Sequence, residues 1–218
     1  FVIHESAHQP DDVHRPGLAL GIYGQWFNRH ETWASMAKPW ISYLTRSASM
    51  MQQGNYVADV AYFYGEDNNI TGIFINDLPP VPQGYAYDFL NAEALQNDVS
   101  MVDGRLKAPS GMSYRVLALD KQCRRMTLAS LRRLHELVKA GCKVWGQKPQ
   151  QTMSLEDDTL EFARLTADIW EKHHPNVMTT PTLEEALREW GISPDCSSPD
   201  MNKLNYVHRQ AVDGDFYW

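Results

Sequence analysis

The chain has 218 residues, 43% of them hydrophobic, and a formal net charge of −7. That length allows one domain, or one domain plus part of another, around a sizeable core. The acidic balance and the lack of a Lys/Arg cluster argue against a nucleic-acid partner, and no apolar run nears the roughly 20 residues of a membrane-spanning helix.

Phe1-Val2-Ile3-His4 reads as a strand from the first residue. Glu5 to His30 is a long loop punctuated by Pro10, Pro16, Gly17, Gly21 and Gly24. Glu31 to Gln53 carries helical spacing, with Trp33, Met36, Ala37, Trp40 and Leu44 on one stripe. Pro39 inside that stripe predicts a kink or a late start. From Val57 the pattern changes. "VADVAYFYG" predicts a buried strand, "YDFLNAEALQ" a helix, and "MVDGRL" a hairpin turning at Asp103-Gly104. "YRVLALD" is a second buried strand. Thr127 caps a helix with the stripe Leu128, Leu131, Leu134 and Val138, closed by Gly141. "CKVWG" is a third strand, Ser154 is the expected cap of the next helix, and "VMTT" is a fourth strand. Thr182 with Glu185 forms a capping box. Alternating strands and helices from Val57 to Ile192 predict a doubly wound, mostly parallel α/β sheet. The tail "LNYVHRQAVDGDFYW" predicts a strand, an Asp213-Gly214 turn and a returning strand. Both ends fall inside β structure, so a segment of a larger protein is expected.

The chemistry-bearing residues cluster early. His4, Glu5, His8 and Gln9 follow the first strand, as active-site residues do at the carboxyl mouth of a (β/α)₈ barrel. A structural role for these histidines has about even weight, because lone histidines often only satisfy local hydrogen bonds. In "YGQWFNRHETW", Trp26 offers a ring face to C–H surfaces while Asn28 and Arg29 supply donors. That mixture suits a sugar, and it also suits a helix start in which Asn28 caps and Trp26 and Trp33 pack inside. Cys123, Cys142 and Cys196 form no C-x-x-C pair and no nucleophile elbow, so neither a zinc site nor a cysteine hydrolase is indicated.

The stretches "HESAHQP", "GQWFNRHETWASMAKPW", "QQGNYVADVAYFYGED", "YDFLNAEAL", "DGRLKAPSGMSYRVLAL" and "AGCKVWGQKP" resemble glycoside hydrolase family 106, the α-L-rhamnosidases. The resemblance runs from Phe1 to about Lys148 and continues weakly to Trp218. It implies that residues 1–54 are the final strand, loop and helix of a (β/α)₈ barrel. Residues 55–195 would then be a flavodoxin-like domain, similar to class I glutamine amidotransferases, and 196–218 the start of a further β module. It also implies an inverting mechanism with two carboxylates, a calcium near the sugar, and a periplasmic or secreted parent enzyme. Within this stretch Glu5 is the candidate catalytic carboxylate, as acid/base or as a substrate ligand. His4, His8, Gln9, Trp26, Asn28 and Arg29 are the candidate sugar contacts. No calcium ligand is assigned and no cofactor is expected in this segment. The second carboxylate would come from elsewhere in the parent, so the segment alone is expected to be inactive. The competing expectation is a non-catalytic structural or carbohydrate-binding module. Exposure of Trp33, Met36 and Trp40 would drive self-association.

Overall fold

The computed structural model describes residues 8–14, 17–18, 21, 27, 29–67, 78–172 and 174–218. The chain divides into two compact units, Phe1–Gly54 and Asn55–Trp218.

In the first unit a 3₁₀ turn, Ala34–Met36, precedes helix α1, Lys38–Met51. Pro39 stands in its first turn, where a missing N–H removes no helical bond. Of the two outcomes expected at Pro39, the late start is the one found. Ser47 is the sole buried residue of α1, while Met36 is 70% and Trp40 43% exposed.

The second unit begins with β1 (Asn55–Tyr56) and β2 (Val60–Phe63), then β3 (Tyr87–Leu90) and α2 (Ala92–Asn97). A three-stranded antiparallel meander follows: β4 (Ser100–Val102), β5 (Arg105–Lys107) and β6 (Ser113–Tyr114). Asp103 and Gly104 turn its first hairpin with φ of 52° and 73°, the double left-handed geometry that Asp-Gly favours. Next come β7 (Val116–Leu119), α3 (Leu128–Lys139), β8 (Val144–Trp145), α4 (Thr159–Trp170), β9 (Val177–Met178) and α5 (Leu183–Glu189). Strands β10 (His208–Ala211) and β11 (Gly214–Tyr217) close the chain.

Five strands form one parallel sheet in the order β3-β2-β7-β8-β9. Taken in chain order the strands lie 2-1-3-4-5, with the reversal between β2 and β7. Val60, Val116, Leu117 and Val144 are fully buried, as central strands covered on both faces require. One face carries Ala61, Phe63 and Leu117 against Leu95 of α2, Leu131 and Leu134 of α3, and Leu165 and Ile169 of α4. The other carries Val60, Tyr62, Val116 and Ala118 against Leu183 and Leu187 of α5.

Three local expectations are corrected. "YDFLNAEALQ" is not one helix. Tyr87–Leu90 is a strand paired in parallel with Val60–Phe63, and the helix starts only after Asn91, whose side chain accepts from Ala94 N at 2.8 Å. The sheet therefore has five strands rather than four. Ser154 does not cap α4; Asp158 does, accepting from Leu160 N and Glu161 N at 2.8 and 3.1 Å. That start lets Phe162, Leu165 and Ile169 face the core together. The last turn is Val212-Asp213, because Gly214 already pairs with Ala211. Thr127 caps α3 and Thr182 caps α5 as expected, each accepting the backbone N–H three residues on.

Candidate functional site

Among the described residues of the first unit, polar groups converge on the loop after residue 7. His8 and Leu18 form an isolated antiparallel bridge, with N···O distances of 2.8 and 2.9 Å. Gly17 permits it: its φ is +85°, and a Cβ there would lie 2.4 Å from the His8 carbonyl oxygen. Between the bridge residues the loop folds on Asp11, which accepts from Val13 N, His14 N and His14 Nδ1 at 2.9, 2.8 and 2.8 Å. The His14 backbone N–H, then its ring, hold the Asp11 carboxyl below the usual carboxylate range.

Arg29 closes the loop from the far side. Its Nη2 and Nε donate to Asp12 Oδ1 at 2.7 and 3.2 Å, and its Nη1 donates to the Gln9 carbonyl at 3.1 Å. His30 Nε2 lies 3.1 Å from the same Asp12 oxygen. Gln9 is 8% exposed, and its side-chain nitrogen is buried without an acceptor among the described residues. A buried amide donor without an acceptor costs roughly 1–3 kcal/mol, so Gln9 presents an unused hydrogen-bond donor. The structure therefore brings Gln9 and Arg29 together directly, while Asp12 pairs with the same guanidinium. Asp12, although its side chain is 68% exposed, anchors Arg29. His8 is exposed and holds the loop through its backbone. His4, Glu5, Trp26 and Asn28 lie outside the described residues.

Beside Arg29 opens a cleft of about 460 Å³, lined by Phe27, Glu31, Trp33, Ala37 and Ile41 among others. Phe27 and Trp33 supply its aromatic lining, 5.8 Å apart and edge-on, and Trp40 packs edge-on against both, at 5.8 and 5.6 Å. An apolar floor with a few charged groups at the rim is the usual make-up of a small-molecule site.

The second unit holds its titratable groups in structural work. At the carboxyl end of β2, Glu66 accepts from Thr127 N, Thr127 Oγ1 and Ser130 Oγ at 2.7, 2.8 and 3.0 Å. Asp157 accepts from Leu128 N at 2.9 Å and from the Thr152 hydroxyl. Two carboxylates thus fill the amino end of α3, the place where this kind of sheet would otherwise take a phosphate. Cys142 and Cys123 are 2% and 4% exposed. Burial pushes both thiols up to about 12, with Asp120 adding to the effect at Cys123. Neither is the thiolate that nucleophilic catalysis needs. Among the described residues no helix is long and apolar enough to cross a membrane.

A profile of the alpha-L-rhamnosidase family, glycoside hydrolase family 106, matches residues 1–218. The chain is 38% identical to the solved rhamnosidase from Novosphingobium sp. PP1Y, with a TM-score of 0.86 over 99% of this chain and 22% of that one. It is 34% identical over 224 aligned residues to a protein of Formosa agariphila named "Putative beta-glucuronidase", covering 100% of this chain and 18% of that protein. The chain spans about a fifth of the length of these relatives.

Proposed function

The chain belongs to the α-L-rhamnosidase family, glycoside hydrolase family 106, and on that premise we propose that it is a segment of an inverting glycosidase releasing α-L-rhamnose from plant or bacterial glycans. In this reading residues 1–54 are the last strand, loop and helix of a (β/α)₈ barrel. Residues 55–195 are a flavodoxin-like scaffold, a reading supported by the 2-1-3-4-5 strand order, and 196–218 lead into a β module. The parent is periplasmic or secreted. The family match across all 218 residues carries the proposal.

The two relatives are named for different sugars, and Arg29 bears on the choice. A uronate carboxylate calls for an open cation. Arg29 is already charge-paired with Asp12 and bonded to the Gln9 carbonyl, which supports a neutral deoxysugar. The Gln9 amide, unpartnered among the described residues, suits a sugar hydroxyl, and the Phe27 and Trp33 lining of the cleft suits its apolar face. His4, His8, Trp26 and Asn28 complete the sugar contacts.

Inversion needs an acid and a base roughly 6.5–9.5 Å apart across the bond. Glu5 supplies one, and the other comes from a part of the parent outside this chain. Calcium near the sugar belongs to the same reading. Among the described residues, however, no three His, Cys, Asp or Glu side chains group to hold a metal, so no ligand is assigned and no step runs through it.

The test is Glu5→Gln in the full-length enzyme. A general acid or base predicts a loss of turnover of about 10²–10⁴-fold with the fold intact; a substrate ligand predicts a raised KM with turnover largely kept. The 218-residue chain alone should hydrolyse no aryl rhamnoside. Hydrolysis by the purified segment, lost on Glu5→Gln, would refute the reading as a segment.

A further inference from the structure

His208 is an imidazole caught between two carboxylates inside the second unit. It is 6% exposed. Its Nδ1 lies 3.0 and 2.9 Å from the two oxygens of Asp195, and its Nε2 lies 2.9 Å from Asp215 Oδ1. The Tyr217 ring stacks on it at 4.2 Å with an interplanar angle of 18°. The Tyr217 hydroxyl donates to Asp195 at 3.3 Å, and Gln210 donates to Asp215 at 3.1 Å. An ionised carboxylate only accepts hydrogen bonds. With a carboxylate at each ring nitrogen, both contacts are hydrogen bonds only when both nitrogens carry protons.

We infer that His208, as an imidazolium bridging Asp195 and Asp215, is a pH-sensitive clasp on the β10–β11 hairpin. The clasp ties three pieces of chain: the segment after α5 through Asp195, strand β10 through His208, and strand β11 through Asp215. Its reach extends further. Strand β10 also pairs with β1, Asn55 opposite Gln210 and Tyr56 opposite Arg209, and β1 starts the second unit directly after Gly54. The clasp therefore bears on β1, the first strand of the second unit.

Losing the proton removes one of the two donors. A bare ring nitrogen then faces a carboxylate oxygen at about 3 Å, two acceptors with no hydrogen between them and little water to separate them. The sign follows: the clasp is closed at low pH and loosens as pH rises. Few other groups can mask the change. Arg209 flanks His208 on β10. Tyr217 stacks on the ring and Tyr206 lies 6.0 Å from Tyr217; burial, reinforced by Asp195, holds both phenols above their usual range, so they stay neutral in that window. Tyr56 stands opposite Arg209 on β1, Cys196 follows Asp195 in the chain, and Asp59 is paired with Arg115.

The experiment is nitrogen-15 NMR of the histidine rings in the 218-residue chain from about pH 6 to about pH 9, with amide hydrogen exchange of β10 and β11 followed in parallel. Both His208 nitrogens should be protonated at the acid end. Hairpin protection, corrected for base-catalysed exchange, should fall at least about tenfold as the ring loses a proton, about 1.4 kcal/mol of opening free energy. In Asp215→Asn, which offers an amide able to meet a neutral ring, protection should no longer follow ring protonation. A neutral ring at the acid end would overturn the clasp, and so would protection that ignores ring deprotonation. Because the wild-type titration decides by itself, failure of Asp215→Asn to fold leaves the test intact. The readout is independent of glycosidase activity.

Discussion

The two units use hydrophobic residues in opposite ways. In the second, all seven of Leu95, Leu106, Leu117, Leu131, Leu134, Leu137 and Ile169 are at most 2% exposed and share one cluster, while Val60, Tyr62, Val116, Ala118, Leu183 and Leu187 form a second. In the first, Gln9 and Ser47 are the buried residues among those described, while Met36, Trp40, Ile41 and Tyr43 are 70%, 43%, 41% and 57% exposed. One unit holds an interior made from its own side chains. The other displays apolar surface and arranges its polar groups around a loop. Stability and recognition are thus concentrated in different stretches of chain, and substitutions should separate them.

The largest contrast in stability should come from a pair of truncations. Leu134→Ala removes a fully buried side chain between α3 and the sheet. It should destabilise the second unit by about 2–5 kcal/mol in denaturant unfolding. Met36→Ser, on the exposed stripe with Trp33 and Trp40, should shift stability by less than about 0.5 kcal/mol and lower self-association seen by sedimentation. Equal losses from both substitutions would erase the distinction between the units.

A smaller effect is expected from backbone rather than core. Gly84 has φ of +85°, and a Cβ there would lie 2.4 Å from the Cys196 carbonyl oxygen. Its own carbonyl accepts from Cys196 N and from the Tyr206 hydroxyl, at 3.1 and 2.8 Å. Gly84→Ala should cost about 1–3 kcal/mol and expose 193–218 to protease before the sheet unfolds. Simultaneous loss of both would show that this segment is no separate unit of stability.

The smallest effect is electrostatic. The Lys172 ammonium and then the His135 ring hold the Asp168 carboxyl well below the usual carboxylate range at the α3–α4 contact. A depressed carboxyl contributes stability above its unfolded value, about 3.9, and loses it as pH falls through the folded one. Asp168→Asn should therefore flatten the acid limb of a Tm-versus-pH curve between about pH 5 and about pH 2. A parallel curve for the variant would place the acid sensitivity elsewhere.

What could be read from sequence was what short-range chemistry decides. Asp103-Gly104 forces its turn, and Thr127 and Thr182 cap their helices with atoms three residues away. Tyr87–Leu90 departs from the expected helix because its strand character comes from Val60–Phe63, far away in the chain, whereas its own neighbours Ala92, Glu93 and Ala94 favour helix. The cap of α4 falls at Asp158 rather than Ser154, because local chemistry suits either residue and the packing of Phe162 and Leu165 decides between them. The candidate site divides the same way. Gln9 and Arg29 stand out by residue type, but the bonds of Arg29 to the Gln9 carbonyl and to Asp12 span 20 and 17 residues and follow no periodic pattern.

Pairing of β1 with β10 has a consequence for synthesis. Asn55 and Gln210 stand opposite each other although almost the whole second unit lies between them. A ribosome adding about 5–20 residues per second makes β1 on the order of ten seconds before its partner exists. The parallel sheet can assemble meanwhile, since β2, β3, β7, β8 and β9 all precede Pro181. Until then β1 is an unpaired edge, and β10 joins it only after the core strands have been made.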